Sequence, residues 1–337
     1  MRIFSILSLF SVLLLFSCSN EFELNAPPAD VTVVYGFLNQ DDPVHYIRVE
    51  RGFISDELNG FQLAQNPDSL YYDNAVVQLV RLDKNNETIT LERVDGNEVG
   101  VQREEGIFAN SPNILYGFSL EDENKLEGGE LVELRVILGE EKEVVTAQTT
   151  VIGAIDFQQG RPAETGVVFA YGQKTNFAWF AREGGQLFDL VLDINIQELS
   201  DDNMEFTDRK LEWVVERNVR RAEEDADVVR VNLDGELFYQ FLKSELENEP
   251  RRKRFFRSID VRVSAAGQEL LDFTNVALAN TGITSAQDVP SYTNITGGNG
   301  IGLLTSRKTV STIISALDSA TRDSLRTGIY TKDLNFQ

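Results

Sequence analysis

Val31-Thr32-Val33-Val34-Tyr35-Gly36-Phe37-Leu38, followed after a short break by His45-Tyr46-Ile47-Arg48-Val49, is the stretch from which the fold is read. The first block is β-branched and aromatic, and such side chains pack well on a pleated surface. Asn39-Gln40-Asp41-Asp42-Pro43 interrupts it with turn formers. In the second block His45, Ile47 and Val49 alternate with Tyr46, Arg48 and Glu50, the period-2 mark of a strand with two unlike faces. Further strands are predicted over Ala75 to Leu82, Glu87 to Arg93, Ile114 to Leu120, Leu131 to Leu138 and Val144 to Thr150. Turns such as Lys84-Asn85-Asn86, Asp95-Gly96-Asn97 and Glu127-Gly128-Gly129 separate several of them. Short strands with turn signals and little helix predict an antiparallel, Ig-like β-sandwich over residues 31–152.

Downstream the pattern changes. Gln159 to Gly166 is a Pro/Gly-containing connection. Val167 to Gly172 and Phe177 to Arg182 then read as a hairpin-like pair, followed by strands over Leu187 to Ile196 and Leu211 to Asn218. A helix is predicted over Gly235 to Asn248, with Asp234 as N-cap and Leu237, Phe238, Phe241, Leu242 and Leu246 at helical spacing. Ile259, Val261 and Val263 alternate as a strand, and Gln268 to Ala279 reads as a second helix. Thr309 to Ser324 reads as a third, with Ile313, Ile314 and Leu317 as a narrow apolar stripe. The fold class expected is mainly β, with residues 153–337 forming a β-rich α+β domain that carries two or three helices.

Upstream, residues 1–17 read as a lipoprotein signal peptide. Arg2 supplies its positive charge, Ile3 to Phe16 is apolar apart from serines, and Leu15-Phe16-Ser17 leads into Cys18. That run of about 14 residues would span only ~21 Å as a helix, short of the ~30 Å hydrocarbon core, so a cleaved segment is expected. Cys18 is then the lipidation site, and two or more acyl chains would hold the protein stably in a membrane. Residues 18–30 form a lipidated tether that ends in Pro27-Pro28, a stiff extended pair. The position directly after Cys18 lacks the Asp that resembles an inner-membrane retention signal of Gram-negative lipoproteins, and Glu21 and Glu23 resemble the acidic tether of some surface lipoproteins, which implies the outer membrane, on its periplasmic or cell-surface side.

The chain holds 54 Asp and Glu against 31 Lys and Arg, a formal net charge of -23. Such a surface repels phosphate backbones and argues against nucleic acid as a partner. Cys18 is the only cysteine, so its lipidation leaves none for disulfides, thiolate catalysis or zinc-thiolate sites. His45 is the only histidine, which excludes a multi-histidine metal site; it reads as a half-buried sheet position. Asp193 and Glu198 flank an apolar strand and are the candidates for a glycosidase-like carboxylate pair. Asp201-Asp202-Asn203 and Asp122-Glu123-Asn124 are oxygen-rich but lack EF-hand spacing. No cofactor is expected. Arg251, Arg252, Lys253, Arg254 and Arg257 reverse the local charge, either to offset a preceding helix C-terminus or to contact an anionic partner such as lipopolysaccharide. Gly297-Gly298-Asn299-Gly300-Ile301-Gly302 lacks the Lys-Ser/Thr of a phosphate loop and reads as backbone packed close to another segment.

Three segments carry a family resemblance. They are Val33 to Asn39 with His45 to Val49, then Ala64 to Tyr72, and last Tyr292-Thr293-Asn294-Ile295 with Gly298, Gly300 and Ser306-Arg307. Together with the lipidation signal they resemble the domain-of-unknown-function 4249 group of outer-membrane lipoproteins from Bacteroidota-type bacteria. The resemblance implies a β-sandwich-like front half and occurrence near TonB-dependent transporters, and it supplies no catalytic residues. The leading expectation is a non-enzymatic binding or accessory module, held to the membrane by acyl chains and serving a transporter or a glycan or peptide ligand. The alternatives are a carboxylate-based glycan hydrolase and a structural or adhesion component of the envelope.

Overall fold

The computed structural model describes residues 31–52, 60–120, 125–139, 143–160, 166–200, 205–221, 227–249, 251–280 and 291–337. Cys18, the signal and tether segments, Asp122-Glu123-Asn124 and Asp201-Asp202-Asn203 lie outside the described residues.

The chain is mainly β. An eight-stranded sheet forms its spine, and its central strands are β1 (Val31–Leu38), β2 (Val44–Gly52) and β15 (Gly300–Ile314). Toward one edge follow β6 (Ile114–Ser119) and β5 (Glu92–Asp95); toward the other come β14 (Arg252–Ala266), β11 (Leu187–Ser200) and β12 (Phe206–Arg220). A four-stranded sheet in the order β4-β3-β7-β8 is built from β3 (Val76–Arg81), β4 (Glu87–Thr90), β7 (Leu131–Leu138) and β8 (Glu143–Thr150). A three-stranded sheet joins β13 (Val228–Asp234), β10 (Lys174–Ala181) and β9 (Ile155–Phe157).

Alternation builds the front sandwich. On β1 the even residues Val34 and Leu38 are fully buried, while Tyr35 and Phe37 turn outward at 48% and 42% exposure. On β2, Ile47 and Val49 share the buried side. These residues pack with Tyr116 and Phe118 of β6 against Leu79 of β3 and Leu134 of β7, forming one apolar core. Each such side chain contributes roughly 1.5–3 kcal/mol on burial. The expected Glu87 to Arg93 strand is in fact two. Leu91 breaks it, bonding its N–H to the Val77 carbonyl at 2.8 Å, and β4 and β5 enter different sheets.

A second core gathers Leu190, Leu192 and Ile194 of β11 with Ile259, Val261 and Val263 of β14. Phe177 and Trp179 of β10 close it, together with Phe238 and Leu242 of the helix Gly235–Glu245. Val151 lies in the first core and Ile152 in the second. The second segment nonetheless reaches back: β15 pairs in parallel with β1 from Thr32↔Gly300 to Leu38↔Ser306, and Ile295 and Leu304 are buried in the first core. The sandwich is therefore completed by a strand from the far end of the chain, and the β1–β15 contact is parallel.

Two local expectations change. Val167 to Gly172 forms no strand, only a bridge from Val167 to Leu317, and β10 pairs with β13 and β9 instead. The helix expected over Thr309 to Ser324 is strand as far as Ile314, and a helix follows only over Ser319–Thr327, capped by the Asp318 carboxylate at 3.0 Å from Thr321 N–H. Thr309, Val310, Thr312, Ile313 and Ile314 are β-branched, and β14 offers them a ladder, with Val263↔Val310 and Val261↔Thr312 in register. Ile314 is buried and Ile313 is 66% exposed, which is period-2 behaviour. With Gln268–Asn280, the second segment shows three α-helices among the described residues, and a single 3-10 turn over Lys332–Leu334.

The Gly-rich stretch packs against the front sandwich as expected. A Cβ on Gly302, at φ +127°, would fall 1.9 Å from the Val34 carbonyl oxygen. Asn294, one of the residues behind the family resemblance, brackets this strand by bonding both the N–H and the carbonyl of Leu304, at 3.0 and 2.7 Å.

Candidate functional site

The outward face of β1 and β2 forms the floor of a groove of about 900 Å³. Register sets its first residues: Tyr35 lies opposite Arg48, and Val33 opposite Glu50, all on the side away from the core. One wall is a pair of single-turn helices, α1 (Gly60–Ala64) and α2 (Pro67–Leu70), which contribute Phe61, Ala64 and Leu70. Asn66 caps α2 by accepting from Asp68 N–H at 3.2 Å. Tyr71 and Tyr72 anchor the segment, donating to the Pro112 carbonyl at 3.0 Å and pairing with the Thr32 hydroxyl at 2.9 Å. The Ala64 to Tyr72 segment behind the family resemblance thus fixes this wall.

A second wall, joined to the first, is the loop carrying Arg103, Ile107 and Phe108. It is tied to α1 by Ala109 N–H to the Ala64 carbonyl at 2.8 Å and by the Gln65 amide donating to the Ile107 carbonyl. Phe61, Ile107 and Phe108 are left 67%, 50% and 40% exposed, apolar surface gathered around a concavity.

At the floor, two guanidiniums share one carboxylate. Arg48 Nη1 donates to Glu50 Oε1 at 2.8 Å, and Arg103 Nη2 donates to the same oxygen. The side chains of Arg48, Arg103 and Glu50 are only 23%, 11% and 12% exposed. Burial, and then the nearby Arg48, pull Arg103 down to about 10, and burial also lowers Arg48. The Arg103 guanidinium carbon stands 5.2 Å over the Phe108 ring, while its Nε is buried without a hydrogen-bond partner among the described residues. Arg51 stacks at 4.8 Å over Tyr72. The arrangement offers apolar walls and an under-neutralised cationic floor.

The residues singled out in the sequence fall elsewhere. Asp193 and Glu198 are both buried on β11, but on opposite faces: Glu198 follows the parity of core residues Leu192, Ile194 and Ile196, and Asp193 faces away. Asp193 pairs with Lys210 at 2.8 Å and Arg262 at 3.4 Å, and Glu198 with Arg254 at 2.8 Å and Arg252 at 3.3 Å. They cannot act across one cleft. The Arg251–Arg257 cluster follows no helix end, because the helix stops at Glu245 and Arg252 already belongs to β14. Arg254 is fully buried, donating to Glu198 and at 2.8 Å to the Leu334 carbonyl, so it touches no external partner. Arg252 is engaged by Glu198 and Glu249, which leaves Arg251, Lys253 and Arg257 exposed. Arg257 shares the rim of a smaller cleft of about 300 Å³ with Arg322 and Arg326. His45 is buried, stacked on Phe118 at 4.7 Å, and donates from Nε2 to the Asn39 carbonyl at 2.9 Å. Among the described residues, no group of three or more His, Cys, Asp or Glu is placed to hold a metal ion.

Sequence reasoning missed the groove, since its walls come from segments without periodicity. The one available signal was Arg48 and Glu50 on the outward face of an alternating strand.

No protein-family model and no curated protein matches the chain. Among solved structures it is similar to the C-terminal globular domain of an oligosaccharyltransferase from Pyrococcus abyssi, at 11% identity and TM-score 0.26, covering 87% of this chain and 50% of that one. The chain thus spans half the length of that domain. It is also similar to the chicken CNTN1 FN1-FN3 domains, at 11% identity and TM-score 0.22, covering 87% of this chain and 69% of the other. A third similarity is to the calcium binding domain CBD12 of CALX1.1, at 9% identity and TM-score 0.15, covering 84% and 98%.

Proposed function

We propose that this chain is a lipid-anchored outer-membrane lipoprotein that works as a non-enzymatic binding module, capturing its ligand in the groove above β1 and β2. The observation that carries the reading is the groove itself: about 900 Å³, walled by exposed Phe61, Ile107 and Phe108 and floored by recessed arginines. Its size lies within the range of small-molecule sites, and apolar walls with a few convergent polar groups are how such sites hold ligands. Anchoring through Cys18 would keep the module at the membrane, where it would hand its ligand to a transporter of the TonB-dependent kind. The carboxylate-hydrolase alternative loses its two nominated residues, because Asp193 and Glu198 lie on opposite faces of β11.

The uncharged fluorescent probe N-phenylnaphthylamine tests the site. We expect saturable binding by the intact soluble domain, weakened about tenfold or more in Phe61→Ser/Phe108→Ser, with stability changed by about 0.5 kcal/mol or less per exposed site. Binding unchanged by those substitutions would remove the groove as the site. The anchor is tested separately: Cys18→Ser should move the protein out of the membrane fraction, and its retention there would refute lipidation. Crosslinking in native envelopes reads the accessory role, which predicts a co-purifying outer-membrane transporter absent from the control.

A further inference from the structure

The groove's walls and floor differ in chemistry, and together they specify a ligand more narrowly than "apolar". Among the described residues, three arginines and two glutamates line it, an excess of one positive charge in a chain whose net charge is -23. The excess is local and recessed. Glu50 is the shared acceptor of Arg48 and Arg103, so one carboxylate serves two guanidiniums 23% and 11% exposed. Among the described residues, Arg103 Nε is buried with no partner. A buried donor without an acceptor is costly, and with Glu50 divided between two guanidiniums one more anionic acceptor would complete the site. Guanidinium forks bind planar carboxylates and phosphates in two-point contacts, which suits a single terminal acidic group.

The walls fix the rest of the ligand. Phe61 and Leu70 on one wall and Ile107 and Phe108 on the other present an apolar lining. With the Arg48 and Arg103 side chains only 23% and 11% exposed, a slender chain suits them better than a broad polymer surface. A volume of about 900 Å³ is that of one small ligand.

We propose that the groove takes a single-chain amphiphile with one acidic group, the acid seated against Arg103 and Arg48 and the apolar body held between α1 and the Ile107–Phe108 loop. This inference rests on the groove being the ligand site.

The test is competition against N-phenylnaphthylamine by dodecanoate and by dodecanol, each below its aggregation concentration. The two competitors share a chain and differ in charge. Wild-type protein should bind dodecanoate at least about tenfold more tightly than dodecanol. Arg103→Met should bring dodecanoate down to the level of the alcohol and leave the alcohol within about twofold of wild type. The variant keeps the Arg48–Glu50 pair, so its fold is expected to persist, and a circular dichroism melt checks this. Arg103→Lys should retain part of the preference. Equal binding of the two competitors by wild type would overturn the acid assignment and leave the apolar groove standing. A preference for the acid that survives Arg103→Met would overturn it as well, by moving recognition elsewhere. Failure of the neutral probe to bind at all would instead remove the groove reading beneath it.

Discussion

Two arginine–glutamate sites in the front sandwich use the same residue types and end in opposite states. On β3, Arg81 meets Glu130 in a two-point contact, Nε to Oε1 at 2.5 Å and Nη2 to Oε2 at 2.9 Å, with side chains only 3% and 2% exposed. The hydrogen bond to Glu130 outweighs burial and raises Arg81 above its ordinary value. In the groove, Glu50 is divided between Arg48 and Arg103, and burial lowers both arginines. The difference lies in stoichiometry. Arg81 meets two carboxylates, Glu130 and, at 3.3 Å, Glu87, which closes a structural link, while in the groove two guanidiniums draw on the single carboxylate of Glu50, which leaves a charge available to something outside the chain.

The largest expected effect comes from breaking the closed site. Arg81→Met strands the Glu130 carboxylate in the sandwich and should cost about 3–5 kcal/mol in urea unfolding. Arg103→Met should cost about 1 kcal/mol or less, since Glu50 keeps Arg48. Equal losses at the two positions would erase the distinction between them. Glu50→Gln comes next. It leaves two recessed guanidiniums without an anion and should cost about 1–3 kcal/mol. Saturating dodecanoate should then raise the melting temperature of this variant more than that of wild type. A smaller shift in the variant would place the acid away from Glu50.

The smallest effect is protonic and sharpens the site's edge. His45 sits on β2 facing the core, and burial, its largest influence, lowers it from the ordinary 6.5. The folded chain therefore binds this proton less readily than the unfolded chain. His45 contributes stability that is present above pH 6.5 and lost as pH falls through the lower, folded value. His45→Gln should flatten that acid limb in pH-dependent melts while leaving dodecanoate binding at neutral pH unchanged, because His45 and the groove occupy opposite faces of the strand. An acid limb unchanged in the variant would assign that pH dependence to other groups.

How much of this was legible in the sequence follows from how local each feature is. The β1 and β2 alternation, and the helices near Gly235 and Gln268, are short-range patterns, and the strands and helices lie where those patterns indicated. β15 was misread because Ile313, Ile314 and Leu317 fit a helical stripe as well as a strand, and only the β14 ladder decides between them. Pairing of β1 with β15 joins residues such as Val34 and Gly302 that no local pattern links. The groove is less legible still. Arg103 lies among Gln102, Glu104 and Glu105 and reads as solvated charge, until the fold sets its guanidinium on Glu50. The Arg251–Arg257 run misled in the opposite direction: its density of charge drew attention, yet Arg254 is spent on Glu198 in the interior.

A crystal structure of the chain grown with dodecanoate would show whether the groove binds an acidic amphiphile through its surplus guanidinium. We expect the carboxylate within hydrogen-bond distance of Arg103 and Arg48, and the alkyl chain running between Phe61 and Phe108. A groove that stays free of dodecanoate at a saturating concentration, or a ligand bound with its carboxylate turned to solvent, would contradict it.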